Sequence, residues 1–352
     1  MYPKLIVNIN KLKHNSITIN NLLVKNNINS RFLVTKVLSG NKKIVEKFAD
    51  TGFTHIADSR VYNLKTFKDI PLPKVLLRIP SLSEIKDVVK YADVSLNSEL
   101  QTIVELNNQA IIQNKFHQVI LMFDLGDLRE GLFFKEDYLE TVAIILKLAG
   151  IKLIGIGTNL TCYGGVIPTR KILNELITIK NNIESNFKIK LEIISGGNSS
   201  TIPLLLKNNL PKEINNLRLG EVIMLGRETA YGKIVDNLYA DAFTLQAQII
   251  ELKEKPSYPI GELGMDSFGE KPNIIDKGIM KRGIIAIGKQ DVNLDNLTPI
   301  DQNVEIIGGS SDHLICDLTN TNYALGDIIE FNVNYPGLLQ LMTSKYITKV
   351  IM

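Results

Sequence analysis

Tryptophan is absent from this sequence, cysteine is nearly so, and no charge sign dominates. The two cysteines, Cys162 and Cys316, are too few and too far apart for a disulfide framework or a zinc-ligand pattern. Such sparse cysteine suits a reducing cytoplasm. No apolar run approaches the ~18 residues of a membrane span. The N-terminal MYPKLIVNINKLK is too short in its apolar part for a signal peptide. A net charge of +3 gives no argument for nucleic acid or a membrane surface as partner. There is no G-x-G-x-x-G after the first strand, which speaks against an open dinucleotide-binding sheet.

What is present is an ordinary globular composition, 45% hydrophobic and 22% charged over 352 residues. That length suits two domains, or one barrel with an appendage. After a short strand at 4–9, apolar strands alternate with amphipathic helices. The strands are expected at Arg31–Lys36, His55–Asp58, Lys74–Ile79, Ala92–Asn97, Gln118–Leu125, Lys152–Leu160, Leu191–Ser195 and Leu217–Leu225. This count predicts an α/β protein built on a (β/α)8 TIM barrel. Beyond about Gly232 the texture becomes short alternating runs punctuated by Gly, Pro, Asn and Asp. The expected organisation is therefore residues 10–232 as the barrel and 233–352 as a C-terminal β domain, with the strand at 1–9 joining that domain's sheet.

In a barrel, chemistry sits at the C-terminal strand ends. Those ends are unusually polar here. The first carries Lys36, in VTKVLSGN; later ones carry Asp58, Arg78, Asn97, FDLGDLREG with Asp124 and Arg129, TNLTCYGG with Asn159, Cys162 and Tyr163, SGGNSS with Asn198 and Ser199, and NLRLGE with Arg218, Gly220 and Glu221. A lysine ending a buried strand is either a snorkelling side chain or a desolvated amine suited to Schiff-base chemistry. SGGNSS reads either as an anion cradle opening a helix or as a Gly-Asn turn with a Ser N-cap. Taken together, a phosphorylated aldehyde such as pyridoxal 5'-phosphate (PLP) satisfies the lysine, the cradle and Arg218 at once.

With these segments, and with IADSRVYNL, NNLRLGEVIMLGRETAYG, AIGKQD and GGSSDHLICDL, the whole chain resembles the alanine racemase family of fold type III PLP enzymes, nearest to its bacterial ornithine racemase branch. The resemblance implies an amino-acid racemase that interconverts L- and D-ornithine through an external aldimine and a Cα carbanion. Lys36 then matches the lysine that holds PLP and serves as one base. Arg218 matches the arginine at the pyridine nitrogen, where a lasting positive charge limits the electron sink. Ser199 and the backbones of Gly220 and Glu221, with Asn198 beside them, match phosphate contacts. Arg129 matches the arginine near the substrate carboxylate, or else pairs with Asp127 or Glu130. Asn159 stands where alanine racemases place a histidine against the cofactor ring.

The departures concern the second base. AIGKQD and GGSSDH replace segments that carry a tyrosine and a methionine in the family, so the opposite face of Cα has Lys289, Cys162, Tyr163, Asp291, Asp312 and His313 as candidates, unless Lys36 serves both faces. A distal ammonium on the substrate calls for Asp266, Asp291 or Asp312. The resemblance further implies a head-to-tail homodimer with shared sites, and no metal. Other readings are a racemase of lysine, alanine or serine, a decarboxylase or aldolase of the same fold type, or a non-catalytic PLP-binding homeostasis protein.

Overall fold

The computed structural model describes residues 1–265, 268, 269, 271 and 274–352. Two compact units divide the chain: residues 11–240, and residues 1–10 together with 241–352.

The second of these units begins with β1 (Lys4–Val7), whose Leu5 and Val7 are buried and whose alternate residues are partly open. The alternation is that of a half-buried strand. The chain then enters the barrel unit through the helix Ile9–Lys25, which buries Leu12, Ile19 and Leu23 along one face. Its strands are β2 (Ser30–Val34), β3 (His55–Asp58), β4 (Lys74–Leu76), β5 (Val94–Asn97), β6 (His117–Asp124), β7 (Leu132–Phe133), β8 (Ile151–Thr158), β9 (Ile193–Ser195) and β10 (Asn216–Leu219). All pairings among them are parallel. The order β5-β4-β3-β2-β10-β9-β8-β6, with β6 pairing back to β5, closes an eight-stranded barrel; β7 is a two-residue appendage on β6. Phe32, Val34, Ala57, Val75, Val94, Leu96, Ile120, Met122, Ile154 and Ile193 form one buried cluster. Near-continuous Val/Ile/Leu runs are what strands buried on both faces require.

Several expected strand ends fall short, including β6, which stops at Asp124 instead of Leu125, and β8, which stops at Thr158 instead of Leu160. β2 stops at Val34, and Lys36 opens the 3-10 turn Lys36–Leu38. β4 stops at Leu76, before Arg78 and Ile79. β10 stops at Leu219, and Glu221–Met224 is a helical turn capped by Gly220. At β2 and β10 the chain stays largely apolar past the strand, so hydrophobicity alone could not mark the change from extended to helical backbone.

Returning to the other unit, β11 (Phe243–Pro256), β12 (Ile279–Ile285), β13 (Leu297–Pro299), β14 (Glu305–Gly309), β15 (Leu314–Asp317), β16 (Ile328–Val333) and β17 (Thr348–Ile351) join β1 in one sheet. β1 lies antiparallel to β11 and parallel to β17. The remaining pairs are antiparallel, as a β domain connected by turns demands. Among the described residues, the 3-10 turn Leu294–Asn296 and the α-helix Tyr335–Thr343 interrupt them; the Asn334 side chain caps the α-helix by accepting from Gly337 N at 2.9 Å, and Pro336 sits in its first turn.

Candidate active site

The turn carrying Lys36 is built from β2 and its neighbour β3. Thr35 is fully buried and donates through Oγ1 to Asp58 Oδ2 at 3.0 Å. Asp58 Oδ1 accepts from Asn63 Nδ2 and from the Arg60 N–H, both at 3.0 Å. Burial pushes the Asp58 carboxyl up, and these hydrogen bonds pull the other way. Gly40 has φ +75°, and a Cβ there would lie 2.7 Å from Asn63 Oδ1. Only glycine fits this turn. Lys36 itself is exposed. The burial expected for it is carried by Thr35 instead, because the strand ends two residues earlier.

Arg218, from the neighbouring β10, is 4% exposed. Its guanidinium donates to Ser195 Oγ, to the Thr158 carbonyl at 2.8 Å and to Asn159 Oδ1 at 3.3 Å. Ser195 Oγ in turn donates to Asn216 Oδ1, and Asn216 Nδ2 donates to Ser30 Oγ at 2.9 Å. All these partners are neutral. Burial therefore lowers the guanidinium to about 10, still cationic at pH 7. Gly157 of β8 makes room for this chain, since a Cβ there would sit 2.9 Å from Ser195 Cβ.

Asn198 ties the loops after β8 and β9 together. Its Nδ2 donates to Asn159 Oδ1 and the Leu160 carbonyl, each at 3.0 Å, and lies 3.4 Å from Cys162 Sγ. Its Oδ1 accepts from Ser200 N at 2.8 Å. Ser199 Oγ accepts from Val222 N at 3.3 Å, linking this loop to the turn after β10. There Gly220 runs against β2, where an added Cβ would meet Val34 Cβ at 3.1 Å. Glu221 follows, half-buried. Burial pushes its carboxyl up to about 7, against the pull of Lys36 and Arg227 and with Glu228 adding to the rise. Three buried polar atoms at these strand ends have no protein partner: Thr158 Oγ1, Asn159 Nδ2 and Ser200 Oγ. Buried donors left open cost free energy unless something fills them.

The loop between β6 and β7 holds Arg129. Asp124 Oδ1 accepts from Gly126 N and Leu128 N. Asp127 is fully buried and accepts three backbone N–H groups from the loop after β8: Thr161 at 2.9 Å, Tyr163 at 3.0 Å and Val166 at 3.1 Å. Asp127 thus lashes the two loops together. Arg129 makes a two-pronged ion pair with Glu130. Desolvation lowers the Arg129 guanidinium, but the hydrogen bond and charge of Glu130 outweigh it and hold it above its ordinary value, with smaller help from Cys162 and Asp127. Glu130 and Arg129 also act electrostatically on Arg218, and Cys162 is linked to it through Asn198 and Asn159. Cys162 and Tyr163 are exposed.

The other expected residues lie in the β unit. Lys289 places Nζ 4.2 Å from the Phe268 ring centroid. Its N–H donates to the Ser310 carbonyl, and Gln290 N to that of Ser311, each at 2.9 Å, so AIGKQD and GGSSDH form one loop pair. Asp312 is exposed; Ser310 and Ser311 hydroxyls at 3.2 and 3.1 Å, and His313 Nδ1 at 3.4 Å, surround its Oδ1. Asp291 is 6% exposed and accepts from Ser344 Oγ at 2.6 Å, a use internal to this unit. Asp266 lies outside the described residues. Asp127, expected only as a possible ion-pair partner of Arg129, instead holds the loop after β8, and the sequence reading passed over that role, Ser195 as a partner of Arg218, and Asn216. No motif announces them, since their roles depend on strands that only the closed barrel brings together.

A barrel with a lysine and a buried arginine on adjacent strand ends, a hydroxyl-lined cradle beside them and an appended β unit defines the fold type III class. The alanine racemase N-terminal domain family matches residues 7–228, and the chain belongs to that family. It is 52% identical over 351 residues to the ornithine racemase of Acetoanaerobium sticklandii, covering 99% of both chains. It is 36% identical over 353 residues to the lysine racemase of Thermotoga maritima, covering 99% of this chain and 98% of the relative. Its fold matches that of an alanine racemase from Bartonella henselae carrying covalently bound pyridoxal phosphate, with TM-score 0.75, 16% identity and full coverage of both chains.

Proposed function

We propose that this protein is an amino-acid racemase that uses PLP and interconverts L- and D-ornithine. The observation that carries the reading is Arg218: a buried cation held only by neutral oxygens, on the strand beside the one that leads to Lys36. The full-length relationship to an ornithine racemase, nearer than that to a lysine racemase, supports ornithine as substrate.

When bound, PLP supplies an aldehyde for amines and a conjugated ring that accepts the electron pair left when the α-proton departs. The residues present suit it. Lys36 Nζ would bond to the aldehyde carbon. Ser199 Oγ and the N–H groups of Gly220 and Glu221, with Asn198 shaping the loop, would hold the phosphate, and the open Ser200 hydroxyl matches such a dianion. Asn159 Nδ2, a buried donor without a protein partner, would face the ring. Arg218 would stand at the ring nitrogen and keep it unprotonated, which favours a short-lived charge at Cα over side reactions.

Lys36 would take and return the α-proton on one face. Arg129 would hold the substrate carboxylate through its planar fork. For the opposite face, Lys289 in the β unit and Cys162 at the barrel mouth are the residues we put forward, and the family resemblance brings the β unit from a second subunit in a head-to-tail homodimer. Of Asp291 and Asp312, only Asp312 offers an exposed carboxylate to a distal ammonium. An exposed thiol among the site residues suits a reducing compartment, so we place the enzyme in the cytoplasm.

The test is the Lys36→Ala variant. It should lose both the absorbance of covalently held cofactor and the exchange of the L-ornithine α-proton in deuterated water. Retention of either refutes the assignment. A wild-type protein that holds the cofactor without exchange would instead be a carrier.

A further inference from the structure

The loop between β6 and β7 sets opposite charges side by side at the barrel mouth, and the substrate proposed above carries both signs too. Arg129 and Glu130 are adjacent in sequence and close on each other through two N–H···O contacts. Their side chains keep 41% and 21% of their accessibility, so the pair faces the opening rather than the core. The backbone beneath is rigid. Leu128 is held at φ +56° with its N–H on Asp124 Oδ1 at 3.1 Å, and a Cβ on Gly131, at φ +132°, would strike Asp124 N at 2.3 Å. Asp127 anchors the same loop from below.

Several other carboxylates of the strand-end loops are committed to the protein, while Glu99 after β5 and Glu136 after β7 are exposed. Asp58 serves Thr35, Asn63 and Arg60; Asp124 serves Gly126 and Leu128; Glu228 accepts from the N–H groups of Ala230, Tyr231 and Lys233. Glu84 pairs with Arg78 and Ser81, but neither Arg78 nor Glu84 is among the charges felt by Arg218. Glu221 lies beside Lys36, the residue that must hold the cofactor. Glu130 differs: its partner is the guanidinium that the substrate carboxylate would claim.

We propose that Glu130 is a specificity-determining residue for the distal ammonium of a diamino acid, and that the Arg129–Glu130 pair is a self-closed receptor which such a substrate opens, its α-carboxylate taking Arg129 and its distal ammonium taking Glu130. The inference rests on the reading of the protein as an amino-acid racemase. It has a physical advantage for a zwitterionic diamino acid. The pair keeps both charges satisfied while the site is empty, and each partner given up is replaced by a group of the same sign. A monoamino acid takes Arg129 and leaves Glu130 with an uncompensated charge, which disfavours it.

The test compares the holoenzyme and its Glu130→Gln and Asp312→Asn variants on L-ornithine and on L-norvaline, which has the same carbon chain without the distal amine. Glu130→Gln is isosteric and leaves the loop's backbone contacts in place. It should lower kcat/KM for ornithine about 10- to 100-fold, the range for a lost charge-assisted hydrogen bond. The effect should sit mainly in KM and in the ornithine concentration needed to change the cofactor's absorbance, while norvaline turnover is unchanged or rises. Equal losses on both substrates, no loss on ornithine, or a selective loss in Asp312→Asn alone would each overturn the proposal. Absence of racemisation by the wild type on any amino acid would instead refute the underlying reading.

Discussion

Asp127 offers the sharpest test of how this site is held together. Its carboxylate meets backbone only, accepting three N–H groups from the loop that carries Cys162 and Tyr163. A hydrogen bond to a charged acceptor contributes about 1.5–3 kcal/mol, and such terms do not add fully. Replacing Asp127 by Ala leaves three N–H groups without a partner, and a cost of roughly 3–5 kcal/mol follows for the local structure. Asn is the informative second variant. Its single oxygen can keep the Thr161 and Val166 N–H groups, now shared, but its amide opposes the N–H of Tyr163, so about 1–3 kcal/mol is expected. Hydrogen exchange followed by mass spectrometry over residues 159–167 reads this directly. A loss of about 3 kcal/mol in opening free energy speeds exchange roughly 100-fold. Exchange should accelerate in the order wild type, Asn, Ala, with β2 and β3 unaffected. Equal protection in all three proteins would show that the loop is held by other means.

Two further outcomes follow from other parts of the molecule. His117 is 1% exposed, with Nε2 2.7 Å from Ser95 Oγ, and burial lowers its imidazole to about 4. The unfolded chain gains a proton near pH 6.5 where the folded one does not, so stability is fully present above that pH and declines as pH falls toward 4, by about 3 kcal/mol at most. Urea unfolding of the wild type and of His117→Gln should show a shallower pH slope in the variant, and identical slopes would remove His117 as the cause. If the sites are shared between subunits, mixing inactive Lys36→Ala and Lys289→Ala proteins should restore up to about a quarter of the wild-type activity per total site, by random exchange of subunits; no recovery after verified subunit exchange would argue against Lys289 acting in trans.

The eight barrel strands were legible because buried parallel strands need continuous Val, Ile and Leu, a pattern that survives without knowledge of neighbours. Lys36, Arg218 and the SGGNSS loop drew attention for a related reason: a strand end is a place where polar residues stand out against an apolar run. Their surroundings were less legible. Nothing in the spacing of Ser30, Ser195 and Asn216 says that their side chains form one chain behind Arg218, since that depends on β9, β10 and β2 lying side by side. Nor does VLLRIP reveal that β4 stops before Arg78, because backbone direction changes there without any change in hydrophobicity. Helix Tyr335–Thr343 went unread because its capping Asn and early Pro also fit a turn between strands.

The two arginines of the proposed site show how environment, more than residue type, would separate the tasks proposed for them. Arg218 is buried, and its hydrogen bonds go to neutral oxygens of β8, of β9 and of Asn159 just after β8, whereas Arg129 is paired with the Glu130 carboxylate. Such a cation cannot turn away or be neutralised by a neighbour; it suits a fixed task toward a ring nitrogen. Arg129 stands on a loop, half open, with a carboxylate for its partner; burial is the largest single influence on it, and the hydrogen bond and charge of Glu130 together outweigh it. An ion pair of this exposure contributes only about 0–1 kcal/mol, which is little to give up when a substrate brings both signs of charge. An arginine that must let go between turnovers is better held by a weak, exchangeable partner than by a strand. The same logic disfavours exchanging the two environments: a carboxylate beside Arg218 would blunt the charge it presents to the cofactor, and a neutral cage around Arg129 would leave it committed to the protein.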